Sequence, residues 1–273
     1  MKFTFDPGFF VLLALAASLY ARAVRALARR GRRVSPWQQA AWYGGLALMA
    51  LAIMGPASGY VERLLVAHMA EHLLIAELAA PLLLVGLRTP VLQHYLPAPL
   101  MRPLARSRLL QRLRIVGRPP VAIAIFLVVL YLWHFPFAFE GALRNEWLHA
   151  LQHQSFIVIS MLVWWPALEP NRARLPGQLW KIAHIFAARM VSIFLGMAMI
   201  VSRTPWYHGY YGGRAREYGL SPLADQQLAG GMMMSLDVVI AIFALCLFFW
   251  LAAADAERLE RAQLEKAERP VPS

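Results

Sequence analysis

The chain has 273 residues, of which 59% are hydrophobic and 15% charged, at a mean hydropathy of +0.50; this excludes an ordinary soluble domain and points to a polytopic membrane protein. Its formal charge of +12 does not mark a nucleic-acid binder, because the arginines gather in short segments between apolar runs, where cytoplasmic loops hold them. The single cysteine, Cys246, excludes an internal disulfide and any all-thiolate metal site.

A crossing needs about 20 apolar residues, and seven segments qualify. In chain order they are 9–27, 37–55, 64–87, 120–139, 147–166, 182–201 and 225–251. The expected fold is therefore all-α, a seven-helix transmembrane bundle forming one domain over 1–273. Residues 1–10 lack a basic stretch followed by a small-residue cleavage site, so no removable signal peptide is expected. Pro36 after Ser35 is a helix-start signal. Pro81 falls inside the third run, where neighbouring helices can satisfy the backbone it frees. The connections after runs one, three and five and the C-terminal tail, together with Arg22 and Arg25 in the last turns of run one, hold twenty Lys and Arg against six on the opposite side. That asymmetry predicts an outer N-terminus and a cytoplasmic C-terminus.

Between runs three and four, residues 102–114 intersperse Arg with Leu, followed by Ile115. The pattern suits either a basic helix on the anionic inner leaflet or a plain positive loop that sets topology. The tail, 255–273, begins with Glu and Arg at helical spacing, as a solvated extension of the last crossing would. No segment is large enough for a separate soluble domain, so the function is expected in the bundle or its outer mouth.

Two short strings inside the runs carry the chemistry. His68-Met-Ala-Glu71-His72 lies in the third run, and at about 100° per residue a helix gathers both imidazoles and the carboxylate on one face. His149-Ala-Leu-Gln152-His153 opens the fifth run with the same spacing. Ionisable side chains in lipid are costly, so they are expected to face the bundle interior, either as hydrogen-bonded packing groups or as a functional site. Two copies of one spacing favour metal or cofactor ligation.

The topology assigns each histidine a depth. His68 and His72 fall about 6 to 12 Å below the outer surface, His134 about 8 Å down, and His149 and His153 within the first two turns of their helix. His208 belongs to the outer loop, whereas His94 and His184 lie toward the cytoplasm. The expected metal ligands are thus His68, His72, His134, His149 and His153. Glu71 and Gln152 could orient their rings; Asp225, Met233 and His208 are further auxiliary candidates. Imidazoles with thioethers nearby and no thiolate lean toward copper, although methionines also fill irregular gaps in apolar packing. Deeper in the bundle Arg189, Asp237 and Glu77 fall at a similar level, and an unpaired charge there would be expensive, so an ion pair is expected. The outer stretch Trp206 to Gly213 is dense in aromatics and glycine, and reads as an interfacial belt or as a lid over the histidines.

Taken together, His68-Met-Ala-Glu-His72-Leu-Leu with Ala80-Pro81, Trp133-His134-Phe-Pro136, His149-x-x-x-His153 with Phe156 and Trp164-Trp165-Pro166, and Asp225-Gln226-Gln227-x-x-Gly230 resemble the CtaG-type cytochrome c oxidase assembly factors. The resemblance covers runs three to seven, and its specificity lies in the joint order of four motifs. It implies a multi-span protein of the bacterial inner membrane that is not an enzyme and delivers copper to the catalytic subunit of a haem-copper oxidase; self-association stays open. The chain departs from that pattern at Glu71, where Gln is common, at Gln152, where Glu is, and at Phe139, where Tyr is expected. Other readings of the same residues are a haem-handling protein with axial histidines, an intramembrane metalloprotease with Glu71 as base, and a copper or proton transporter.

Overall fold

Pro136 breaks what the sequence reads as one straight fourth crossing. The residue before a proline is pushed out of the α region, and Phe135 accordingly has ψ 137° while Pro136 opens a new helix. The computed structural model, which describes residues 7–97, 99, 115–168 and 177–267, places a 69° bend there. The fourth run is thus two helices, α4 (Pro119–His134) and α5 (Pro136–Arg144). Around them stand α1 (Pro7–Ala28), α2 (Pro36–Met54), α3 (Leu65–Gly86), α6 (Glu146–Leu168), α7 (Leu179–Val201) and α8 (Pro222–Ala267). The described residues contain no strand.

Five of these helices, α1, α2, α3, α7 and α8, are long and apolar enough to cross a membrane, and α4 with α5 makes a sixth if the bent pair is one span. The chain is a membrane protein. Helix α6 fills the fifth expected run but falls outside that group, because Glu146, His149, Gln152, His153 and Gln154 load its first turns with polar atoms. Helix α8 continues past the last expected crossing without a break, and its exposed far end carries the pairs Arg258–Asp255 and Arg261–Glu257. The expected basic stretch 102–114 lies outside the described residues, as does the end of the tail beyond 267.

Helix α3 is the inner member of the bundle. About 67% of its apolar window is buried, against 17% for α1, and its side chains enter both apolar clusters. Leu65, Met69 and Leu73 join Phe126, Phe139, Phe156 and Met233 in one; Ile75, Ala79 and Leu83 join Tyr20, Trp42 and Met49 in the other. Midway, α3 widens into a π turn over Leu74–Ala79. Pro81 supplies the reason: lacking an N–H, it leaves a carbonyl of the preceding turn without its donor, and a wider turn relieves the ring clash. The Ala76 carbonyl receives the Ser160 hydroxyl from α6 at 2.5 Å instead. The first N–H groups of α3 are also satisfied from elsewhere, by both carboxylate oxygens of Asp225 on α8, at 2.7 Å from Leu65 N and 3.0 Å from Val66 N.

Within the widened segment itself, Glu77 belongs to a buried ion triad. The Arg189 guanidinium on α7 donates to Glu77 on α3 and, at 2.9 Å, to Asp237 on α8, and packs 5.4 Å from the Phe126 ring centroid. All three charges are shut from solvent, so the triad ties three helices together while supplying the only kind of partner such groups accept in hydrocarbon. Beside it α7 and α8 approach backbone to backbone. A Cβ added at Gly196 would stand 2.8 Å from the Gly230 carbonyl oxygen, and one at Gly230 would stand 2.6 Å from that of Gly196.

Two outcomes follow for stability, measured by SDS titration of the purified protein in mixed micelles. Arg189→Met strands two buried carboxylates and costs about 3 to 5 kcal/mol, whereas replacing all three triad members by apolar residues recovers most of that loss. Gly230→Ala forces α7 and α8 apart and costs about 1 to 3 kcal/mol. Gly231→Ala next door, with nothing within 4 Å of its added Cβ, is neutral or stabilising by up to about 1 kcal/mol.

Candidate metal centre

Helical periodicity stacks His68 over His72 on α3 and His149 over His153 on α6, one turn apart in each case. The packing of α3 against α6 turns the two pairs toward each other. Ring centroids lie 4.3 Å apart within the first pair and 4.2 Å within the second, and across the helices His68 is 5.1 Å from His149 and His72 is 5.1 Å from His153. One nitrogen from each of the four rings lies within 4.8 Å of the other three. His68, His72 and His153 are buried and His149 is half-buried. Aromatic walls close the sides: Phe139 on α5 stands 5.1 Å from the His68 ring, and Phe156 on α6 stands 4.9 Å from His72. The bend at Phe135 is what folds α5 across the bundle and sets Phe139 there.

Hydrogen bonds fix the proton on one of the rings. The Tyr211 hydroxyl donates to the Val61 carbonyl at 2.7 Å, and burial holds this phenol well above its ordinary pKa, so it keeps that proton. Its oxygen is then free only to accept, and His68 Nδ1, 2.9 Å away, is the donor. His68 is therefore the tautomer with an unprotonated Nε2, aimed into the cluster. His72 Nε2 lies 2.8 Å from that atom, so one proton, on His72, sits between the two lone pairs. A cation arriving at this point would replace it, as ligation by imidazole requires.

The remaining nitrogens have no such partner. His72 Nδ1, His149 Nε2 and His153 Nε2, together with both amide atoms of Gln152, are buried and make no hydrogen bond among the described residues. Buried polar atoms are ordinarily satisfied. Such a gathering beside four converging imidazoles fits a bound cation better than it fits a packed apolar core.

The other expected site residues are distributed around this centre. His134 is buried at the end of α4, where its Nδ1 donates to the Leu130 carbonyl at 2.7 Å and its Nε2 is unpartnered. It faces Phe139 at 6.0 Å and Phe156 at 6.2 Å, so the two phenyl rings border it as they border the four. Glu71 stands 3.9 Å from His153 Nε2, across the helix interface instead of beside a ring of its own helix. Asp225 caps α3, Met233 is buried in the apolar core, and His208 is exposed on the turn between α7 and α8. Glu77, Arg189 and Asp237 form the separate triad described above.

Sequence reasoning missed Tyr211 and Tyr207. Both lie in the aromatic stretch 206–213, which folds over the site: Tyr207 stacks on Phe139 at 4.1 Å and donates to the His134 carbonyl at 2.9 Å. That carbonyl is one of those the α4 terminus leaves without an intrahelical donor. The aromatic density of 206–213, one reading of which is a lid over the histidines, was the available signal. A cleft of about 320 Å³, lined among others by Glu62, Glu71, Glu146 and His149, opens beside the cluster.

Comparison with known proteins places this geometry in context. Uncharacterized proteins of Mycobacterium bovis and Mycobacterium tuberculosis are each 27% identical over 247 residues, which is 86% of this chain and 37% of theirs; the chain thus spans little more than a third of the length of the curated relatives it matches. No solved structure matches it. The profile of the cytochrome c oxidase caa3 assembly factors matches residues 18–254. With that match running through every helix that builds the histidine centre, the chain belongs to the cytochrome c oxidase caa3 assembly factor family.

Proposed function

We propose that this protein binds a copper ion as cargo at His68, His72, His149 and His153, and passes it to the catalytic subunit of a cytochrome c oxidase during assembly. The observation that carries the reading is the convergence of four imidazole nitrogens within 4.8 Å in a buried pocket, one of them held unprotonated by the Tyr211 relay. Imidazole is a good ligand for copper, and the pocket has no thiolate that would favour a structural zinc. His134, with its own unpartnered Nε2 behind Phe139 and Phe156, is the fifth donor of the set, placed to accept the ion as it leaves the four. Glu71 faces His153 Nε2 at 3.9 Å and Gln152 is buried without a hydrogen-bond partner among the described residues, so both are available to a ring or the ion once the site is loaded; Asp225, Met233 and His208 act only indirectly, through the helix positions and outer turn they occupy.

The arrangement in the membrane follows the same reading. Helix α6 is a crossing in spite of its polar first turns, because its histidines face α3 and not lipid. With the bent α4 and α5 as one span, the bundle has seven crossings, an outer N-terminus and a cytoplasmic C-terminus. The histidines then lie near the outer face of a bacterial inner membrane, where an oxidase subunit in the same bilayer can dock. The role is not enzymatic. A hydrolytic zinc site keeps one position open for water, with three protein ligands, whereas four imidazoles here fill the sphere.

Metal analysis of the full-length protein in detergent is expected to find one copper per chain, lost when His72 and His153 are both changed to Ala. The absorption spectrum shows no Soret band, which separates copper from haem. Tyr211→Phe removes the acceptor of His68 Nδ1–H and weakens copper binding about 10- to 100-fold, the usual effect of losing a partner that orients a ligand. A protein that keeps its copper without His68, His72, His149 and His153 would overturn the reading.

A further inference from the structure

The histidine pocket is closed on most sides by Phe139, Phe156, Tyr211 and the helices themselves, yet Glu71 and His149 also line the cleft of about 320 Å³ beside it. Glu71 belongs to both spaces. It is only 5% exposed, its carboxylate makes no hydrogen bond among the described residues, and one of its oxygens stands 3.9 Å from His153 Nε2. A carboxylate this buried without a partner is expensive, and a cation passing from cleft to pocket is a partner for it. Toward solvent the same cleft is lined by the exposed Glu62 and Glu146. Arg144 also lines it, but its guanidinium is engaged by Glu140 at 3.0 Å and by the Gly209 carbonyl at 3.1 Å. Arg214 donates to the Glu62 carbonyl and stacks over the Tyr210 ring. Counting these neighbours, the cleft and its surround hold four carboxylates, Glu71 inside and Glu62, Glu140 and Glu146 toward solvent, against two guanidiniums.

We propose that this cleft is the inlet by which a hydrated metal cation reaches the histidines, with Glu62 and Glu146 attracting it at the mouth and Glu71 receiving it inside. The inference rests on the metal-binding reading above and adds the route and the residues that serve it. Carboxylates that line a cleft raise the local concentration of cations and speed their association, by a factor that falls steeply with ionic strength.

The test is stopped-flow loading of Cu(II) into the full-length protein, followed by quenching of tryptophan fluorescence at low and high salt. The pair Glu62→Gln with Glu146→Gln is expected to slow loading about tenfold at low ionic strength, an effect that fades as salt is raised. Glu71→Gln slows loading at both salt levels, because it acts at contact range where screening is weak. Glu260→Gln, at the exposed far end of α8, keeps the wild-type rate and controls for net charge. Glu62 and Glu146 are exposed and their replacements isosteric, so those variants fold; a melting curve of each verifies it. Wild-type rates in both cleft variants, or equal slowing by Glu260→Gln, overturn the inlet while the metal site stands. Failure of the wild-type protein to load at all overturns the metal reading and the inlet together.

Discussion

Inside a bilayer nothing but the chain itself can satisfy a polar group, and that constraint organises the whole bundle. At several points where a helix here is broken or ended, a side chain from a distant part of the chain supplies what is missing. The Ala76 carbonyl freed by the wide turn takes the Ser160 hydroxyl, the first N–H groups of α3 take Asp225, and the His134 carbonyl takes Tyr207. Arg189 finds two carboxylates on two neighbours. Each of these bonds spans helices distant in sequence, so each also fixes how the helices sit against one another. Polar satisfaction and tertiary geometry are here one requirement, and α3, which takes part in three of the four, is the helix through which it is met.

Against that background the unpartnered nitrogens of His72, His149 and His153 carry information. A chain that finds donors and acceptors for the carbonyls of a π turn and the start of a helix could have furnished hydroxyls or carbonyls for these rings as well. It does so for His68, through Tyr211 and Val61, and for His134, through the Leu130 carbonyl. In both of those rings the proton is drawn to Nδ1 and the Nε2 lone pair is left facing the interior, the state a metal ligand must be in.

Much of this was legible in the sequence. The helical class, most helix boundaries outside the fourth run and the far end of α8, the i, i+4 histidine pairs and the depth shared by Arg189, Glu77 and Asp237 follow from periodicity and from the cost of burying charge. What was not legible has identifiable physical causes. Hydropathy sums over a window, so the apolar run through Phe135 reads as continuous although Pro136 bends it by 69°. The same averaging counts α6 as an ordinary crossing, when its polar first turns are compensated only by a partner helix that no window can see. Asp225 looked like a ligand candidate because a carboxylate near histidines has that chemistry. Its use as a cap depends on where α8 meets α3, 160 residues apart. Tyr211 is likewise meaningful only once the stretch 206–213 is known to fold over the site.

The uneven support of the four imidazoles bears on what the proposed site is for. A centre meant to keep its metal would be expected to hold every ring from behind, since each orienting hydrogen bond raises affinity and slows departure. Here His68 alone is held in that way; His72 is tied only to His68 itself, and the Nε2 atoms of His149 and His153 have no hydrogen bond to break among the described residues. The two rings on α6 are also those nearest the cleft: His149 lines it, and His153 is the ring that Glu71 approaches. A site with one fixed ligand and three adaptable ones can gather an ion and still release it by steps, one ring at a time, toward whichever face presents a better set of donors. On the proposed reading the anchored His68 sets where copper waits, and the freedom of the other three sets that it leaves.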